Sequence, residues 1–236
     1  MVQQRRTTMT ALNVNHEAIK TSTTMYQKNI HSAIDYEHLL LKPSTNKKLG
    51  KKVRKGKFKD MKIYTLTLVE RETCTSDCEH WLDCYGNNMP FAHRFRTDGI
   101  HGNALIARLW LELDVLNRKH PEGFLVRLHI LGDFFSVKYV NFWSKAIRTY
   151  SNLRLYGYSR WWPTTSIGRA IVKLRTKHAA KVWIRFSNKT DDPMSASSEH
   201  VATEGIVCPV QLDKTDDCGT CGLCWTVDKP IIFLTH

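Results

Sequence analysis

From residue 61 onward, short stretches of alternating apolar and polar residues trade places with longer stretches whose apolar residues recur every three or four positions. The first pattern has the two-residue period of a strand, the second the 3.6-residue period of an amphipathic helix. Residues 62–69 (KIYTLTLV) alternate and are rich in branched side chains, which predicts a strand. Residues 102–120 place Leu105, Leu109, Leu113 and Leu116 on one helical stripe. A strand follows at 124–130. Residues 136–150 then predict a helix capped by Ser136, with Val140, Trp143 and Ile147 facing inward. Residues 153–158 are the third strand, 165–178 a helix carrying Ile167, Ile171 and Leu174, and Val182–Ser187 the fourth strand. Shorter strands are expected at 205–208 and 230–234. Before residue 61 the pattern is weak, and only 32–41 suggests a short helix.

Strand alternating with helix is the mark of parallel βα units. No Gly-x-Gly-x-x-Gly follows the first strand, so a dinucleotide fold is disfavoured. The expected architecture is α/β: a complete or partial parallel βα barrel, with a doubly wound open sheet as the competing arrangement. It divides as a basic, partly extended arm (1–60), a barrel-like core (61–204) and a C-terminal cysteine segment (205–236). Three strands repeat one pattern, an arginine between apolar neighbours: Arg127, Arg154 and Arg185. Alternation puts each on one face with the residue two positions on, His129, Tyr156 and Ser187. Mid-strand arginines are costly to bury, so a polar interior site is expected on that face.

Charge changes the picture at the N-terminal end. Of the net +13, residues 1–61 supply +9, from thirteen Lys and Arg against four Asp and Glu. Lys47, Lys48, Lys51, Lys52, Arg54, Lys55, Lys57 and Lys59 stand within thirteen positions that hold no acid. Such a run attracts polyanions without base readout, and nucleic acid is the expected partner; a merely solvated linker is the plain alternative. No apolar run approaches the ~18 residues of a membrane span, and no secretory leader is evident. A reducing, cytoplasmic setting is therefore expected, where clustered cysteines bind metal more often than they form disulfides.

All seven cysteines fall in two clusters: Cys74, Cys78 and Cys84, then Cys208, Cys218, Cys221 and Cys224. Three thiolates leave one iron of a 4Fe–4S cluster open, whereas zinc wants a fourth ligand, for which His80 or His93 is near in sequence. The late set has a Cys-x2-Cys-x2-Cys core containing Gly219 and Gly222, similar to that of ferredoxins; zinc is the alternative there. Polar residues cluster after the other predicted strands too: Gly132 and Asp133, then Ser159 and Arg160, then Ser187 and Asn188. In parallel βα folds ligands bind beyond those carboxyl ends. Tyr158, Trp161 and Trp162 are candidates to stack on a base or simply to pack, and Asn87 and Asn88 to orient metal ligands or form a turn. A zinc hydrolase built on Asp133 and His129 lacks a His-Glu-x-x-His motif.

Three cysteines after the first strand, with Tyr85 beside the last, resemble the radical S-adenosylmethionine (SAM) superfamily and its DNA-photoproduct-repair branch. The second gap is five residues here and two in that superfamily. Leu131-Gly132-Asp133 stands where the superfamily has Gly-Gly-Glu, the segment that binds the SAM amino group. The segments KKLGKK, YTLTLVERETC, CYGNNMPFA, VRLHILGDFFSVKYVNFW, RFSN, VCPVQ and CGTCGLCW, in this order, more closely resemble an uncharacterised phage and plasmid family, that of gene product 88. This likeness spans roughly 46–236 and implies no reaction. The radical SAM resemblance implies one: an iron–sulfur cluster on Cys74, Cys78 and Cys84, SAM on its open iron, an external electron donor, and catalytic or pocket roles for Arg127, His129, Asp133, Arg160 and Asn188. Gly132, Ser159 and Ser187 would complete the cofactor pocket. A non-catalytic, metal-stapled nucleic-acid-binding protein is the second expectation.

Overall fold

The computed structural model describes residues 9–99, 101–188, 191–200 and 204–234. One eight-stranded sheet organises the chain. Its strands are β1 (Lys42–Pro43), β2 (Lys62–Thr65), β3 (Phe124–Leu128), β4 (Leu153–Ser159), β5 (Val182–Ser187), β6 (Ser195–Glu199), β7 (Ile206–Val207) and β8 (Ile231–Leu234). They lie side by side as β1-β2-β3-β4-β5-β6-β8-β7, with β1 antiparallel to β2 and every other pair parallel. Helices α1 (Asn103–Lys119), α2 (Val137–Thr149) and α3 (Ser166–Lys177) join β2 to β5 in turn. Ser136 caps α2 by accepting from the Tyr139 amide at 3.2 Å, and Thr165 caps α3 by accepting from that of Gly168.

From β2 to β5 each strand is laid beside its predecessor in the same direction. Right-handed crossovers then carry all three helices to one face, and the packing agrees. Leu105, Leu109, Tyr139, Trp143, Ile171 and Leu174 share a core with Phe124, Val126, Leu155, Ile184 and Phe186. The intervening residues Ile63, Leu125, Tyr156 and Trp183 face the other way, against Leu49, Val53, Phe58, Met194 and Trp225. A doubly wound sheet would have helices on both faces, so that arrangement is set aside. The sheet is a mixed α/β one, mostly parallel, and it does not close: among the described residues no pairing joins β1 to β7.

Two further expectations are corrected. Residues 32–41 form turns rather than a helix: the Asp98 carboxylate accepts from Ser32 Oγ and the Ala33 amide, while Glu112 accepts from the amides of Leu40 and Leu41 at 2.9 Å. Those amides are fixed by distant carboxylates, not by a helical turn. The basic stretch, expected within a partly extended arm, lies against the sheet. Leu49, Val53 and Phe58 are buried while all eight basic side chains are exposed, so the stretch is a rigid strap with a charged outer surface.

Candidate functional site: two thiol clusters on one sheet

The early cluster follows β2. Its loop is drawn around two buried arginines. Arg94, with no exposed surface, pairs with buried Glu70 at 2.7 Å and donates to the carbonyls of Gly86, Met89 and Ala92. Thr24 Oγ1 donates to the other Glu70 oxygen at 2.6 Å. Arg71, held at φ 66°, donates to Trp81 O, Thr23 O and Asn87 Oδ1, and Asn87 donates in turn to Thr10 O and Leu82 O. Asn87 thus builds the loop rather than only turning it. Asn88 accepts from Thr10 Oγ1 at 2.8 Å.

Cys74, Cys78 and Cys84 are partly exposed free thiols on this loop. Burial pushes all three upward, Cys84 to about 11, and each is raised further by another member of the cluster or by the nearby Asp133. Tyr85 is 47% exposed, yet burial raises its phenol too, with Arg127 as its next strongest influence. Neither histidine joins the trio: His80 pairs with Asp83 at 3.2 Å, and His93 with His31 at 2.8 Å. Among the described residues no three His, Cys, Asp or Glu side chains gather around one ion-sized point.

The polar residues predicted beyond the strand ends do meet here. Asp133 is buried and accepts from the Phe134 amide, the Arg160 amide (both 2.7 Å) and the Ser159 hydroxyl; burial lifts its carboxyl to about 7 against those bonds. Its own amide donates to Thr73 Oγ1, beside Cys74. Gly132 sits at φ +79°, and a Cβ there would collide with Thr73 Oγ1 and lie 2.7 Å from Leu68 Cβ. Arg160 donates to Ser187 O at 3.0 Å and to Glu79 at 2.5 Å, and Asn188 donates to the other Glu79 oxygen at 2.6 Å. Glu79, between Cys78 and His80, thereby ties the thiol loop to the ends of β4 and β5. Its role was invisible in sequence, as was that of Glu70. Trp162 is exposed and donates to Asp77, whereas Trp161 is held by Phe134 O against the helix-side core.

His129 departs from its expected face. Its backbone is left-handed (φ 56°), which breaks the alternation, and the ring packs on Phe134 and meets Tyr139 Oη at 3.1 Å on the helix side. Burial, helped by Arg127, lowers its pKa to about 3, so the ring is neutral. Arg127 does lie on the predicted face. Its guanidinium stands 4.5 Å from the centre of the Tyr158 ring and 5.6 Å from that of Tyr156.

The late cluster covers this same face. Cys208, Cys218, Cys221 and Cys224 all line one tight cavity of about 10 Å³, with Trp225 and Ile231. Its single helical turn, Cys218–Cys221, is capped by Asp217, which accepts from the Thr220 amide at 2.7 Å. The basic strap grips it: the Cys218 amide donates to Lys48 O, that of Gly219 to Leu49 O, and that of Arg54 to Gly219 O. A Cβ at Gly219 would collide with Lys52 O. Arg185 resolves its own burial by donating to four carbonyls, Cys224, Ser195, Val227 and Lys229. Arg154 donates to the Ser151 and Leu153 carbonyls at the start of β4, with its guanidinium 5.9 Å from the centre of the Phe58 ring.

The gene product 88 family profile matches residues 38–209, about three-quarters of the chain. The chain belongs to the gene product 88 family. A curated relative, the Gene 88 protein of Mycobacterium phage D29, is 26% identical over 148 residues, 52% of this chain. The chain spans only 58% of that relative's length. No solved structure matches. For this gene product 88 chain, no helix among the described residues is long and apolar enough to cross a membrane.

Proposed function

We propose that this gene product 88 protein is an iron–sulfur protein resembling radical SAM enzymes, built on a partial βα barrel and acting on or near nucleic acid. The observation that carries the reading is the gathering of Cys74, Cys78 and Cys84 with Asp133, Ser159, Arg160 and Asn188 at the carboxyl edge of parallel strands. What supports a cluster with three protein ligands is the chemistry of the donor set: three free thiols on one loop, with His80 and His93 paired elsewhere. A 4Fe–4S group with SAM supplies one-electron cleavage of a carbon–sulfur bond and hydrogen abstraction from substrate. The chain's part is to bind and orient. Asp133, whose three accepted bonds leave one lone pair, would accept from an ammonium group; Gly132 lets the β3 end approach Thr73 closely; Glu79 and Arg160 hold the loop over the strand ends. The four late thiols hold a second centre, and the strap of Lys47, Lys48, Lys51, Lys52, Arg54, Lys55, Lys57 and Lys59 presents a basic surface beside it to phosphates.

The test is anaerobic purification with iron, sulfide and zinc analysis, then addition of reductant and SAM. Iron, sulfide and release of 5′-deoxyadenosine are expected, and Cys84→Ala should abolish that release while sparing the late centre. Stoichiometric zinc with no iron overturns the reading. It would favour a second one, a non-catalytic, metal-stapled nucleic-acid-binding protein, in keeping with how both clusters pin distant segments: the early loop to residues 10–31, the late turn to residues 48–54.

A further inference from the structure

Adjacent strands put three side chains beneath the late thiols. Arg127 on β3 stands opposite Tyr156 on β4, and Tyr158 lies two positions further along the same face. The Tyr158 hydroxyl donates to Cys224 Sγ at 3.0 Å. Tyr156 is 2% exposed, its ring 4.7 Å from that of Trp225, and its hydroxyl has no hydrogen-bond partner among the described residues. Buried hydroxyls are rarely left unpaired, and phenylalanine would fill the same space without that cost. The charged or ionisable groups that act on Tyr156 are Arg127, Cys218 and Cys224. The orphan hydroxyl belongs to the same strand face as Tyr158, whose hydroxyl already meets Cys224, and the acceptor that suits it is a sulfur of a bound centre.

We propose that Tyr156, Tyr158 and Arg127 form an electropositive, hydrogen-donating floor that raises the reduction potential of the centre held by Cys208, Cys218, Cys221 and Cys224. The inference rests on the iron–sulfur reading above. Its physics is simple. Reduction adds one negative charge to the cluster, and donors and cations at its sulfurs stabilise that charge. Arg185, opposite Tyr158 in the strand register, donates to the Cys224 carbonyl at 3.3 Å and adds positive charge on the same face. A structural zinc site changes no charge and needs no such tuning.

The experiment is a potentiometric titration followed by electron paramagnetic resonance, on full-length protein carrying Cys84→Ala so that the late centre is the one observed. Tyr156→Phe is expected to keep its iron and sulfide and to shift the potential negative. At a fixed potential its reduced-to-oxidised ratio should fall about tenfold, equivalent to about 59 mV for a one-electron couple. Tyr158→Phe removes a separate bond and is read in the same way, so loss of the centre from one variant leaves the other to decide. Arg127→Met should shift it further in the same direction. Iron-loaded variants with unchanged potentials overturn the floor and leave the iron–sulfur reading standing. Zinc in the parent protein overturns both.

Discussion

The two thiol clusters share a sheet but live in opposite electrostatic surroundings. Around the early trio stand carboxylates, Glu70, Glu79 and Asp133, of which Glu70 and Glu79 are already paired with arginines that shape the loop. Around the late four stand Arg127, Arg185 and the tyrosine hydroxyls. Charge inside a protein must be compensated locally. The late thiols thus lie among cations and hydroxyl donors. The early site is more mixed, since Arg71 there meets only carbonyl and amide oxygens and sets a positive charge against those carboxylates.

The contrast can be broken first at its most buried point. Arg94→Met leaves Glu70 charged and unpaired in the core, and should cost about 3–5 kcal/mol of stability in denaturant titration. The early loop should become protease-sensitive while residues 205–234 stay protected. Uniform loss across the molecule would mean that the two regions fold as one unit. Arg185→Met attacks the other side. Four carbonyls lose their donor, so about 3 kcal/mol and selective cleavage of the C-terminal segment are expected. Gly132→Ala should cost about 1–3 kcal/mol, from the Thr73 and Leu68 collisions at a left-handed backbone, and should perturb the early thiols alone in alkylation assays.

Smaller effects sharpen the picture. His129 is neutral when folded, with a pKa near 3, while its unfolded value is near 6.5. The unfolded chain therefore binds the extra proton between those values, and stability falls as pH drops through that window. His129→Asn, which tolerates the left-handed backbone, should flatten the fall in melting temperature between pH 6.5 and 4. Last, replacing Lys51, Lys52, Arg54 and Lys55 with Gln should alter stability by under about 1 kcal/mol, because the Lys52–Asp60 and Arg54–Asp217 pairs involve exposed cations. Nucleic-acid binding should weaken and lose salt dependence; unchanged binding removes the strap from the interface.

Periodicity made β3, β5, α2 and the Ser136 cap legible, since each couples a strong apolar pattern to clear end signals. β6 was not legible. Its sequence, Ser-Ala-Ser-Ser-Glu, is small and polar, and only its place between β5 and β8 makes it a strand. Residues 32–41 misled because their leucines and tyrosine do face a core, but from turns. The face of Arg127 and Arg185 was legible from alternation; what covers it was not, because the strap and the late thiols come from opposite ends of the chain. The pairing of Glu70 with Arg94 likewise spans 24 residues and leaves no local trace. His129 failed for a reason sequence seldom reveals, a single left-handed residue at a strand end.

β8 is translated after every other strand, yet the sheet takes it between β6 and β7 rather than at an edge. Until Ile231–Leu234 is made, β7 lacks the neighbour it pairs with, and until Trp225 is made the face bearing Trp183 and Tyr156 lacks that ring. A growing chain therefore carries that apolar face under the strap alone until Trp225 follows, and a stall or truncation within Ile231–Leu234 would leave β7 without that neighbour.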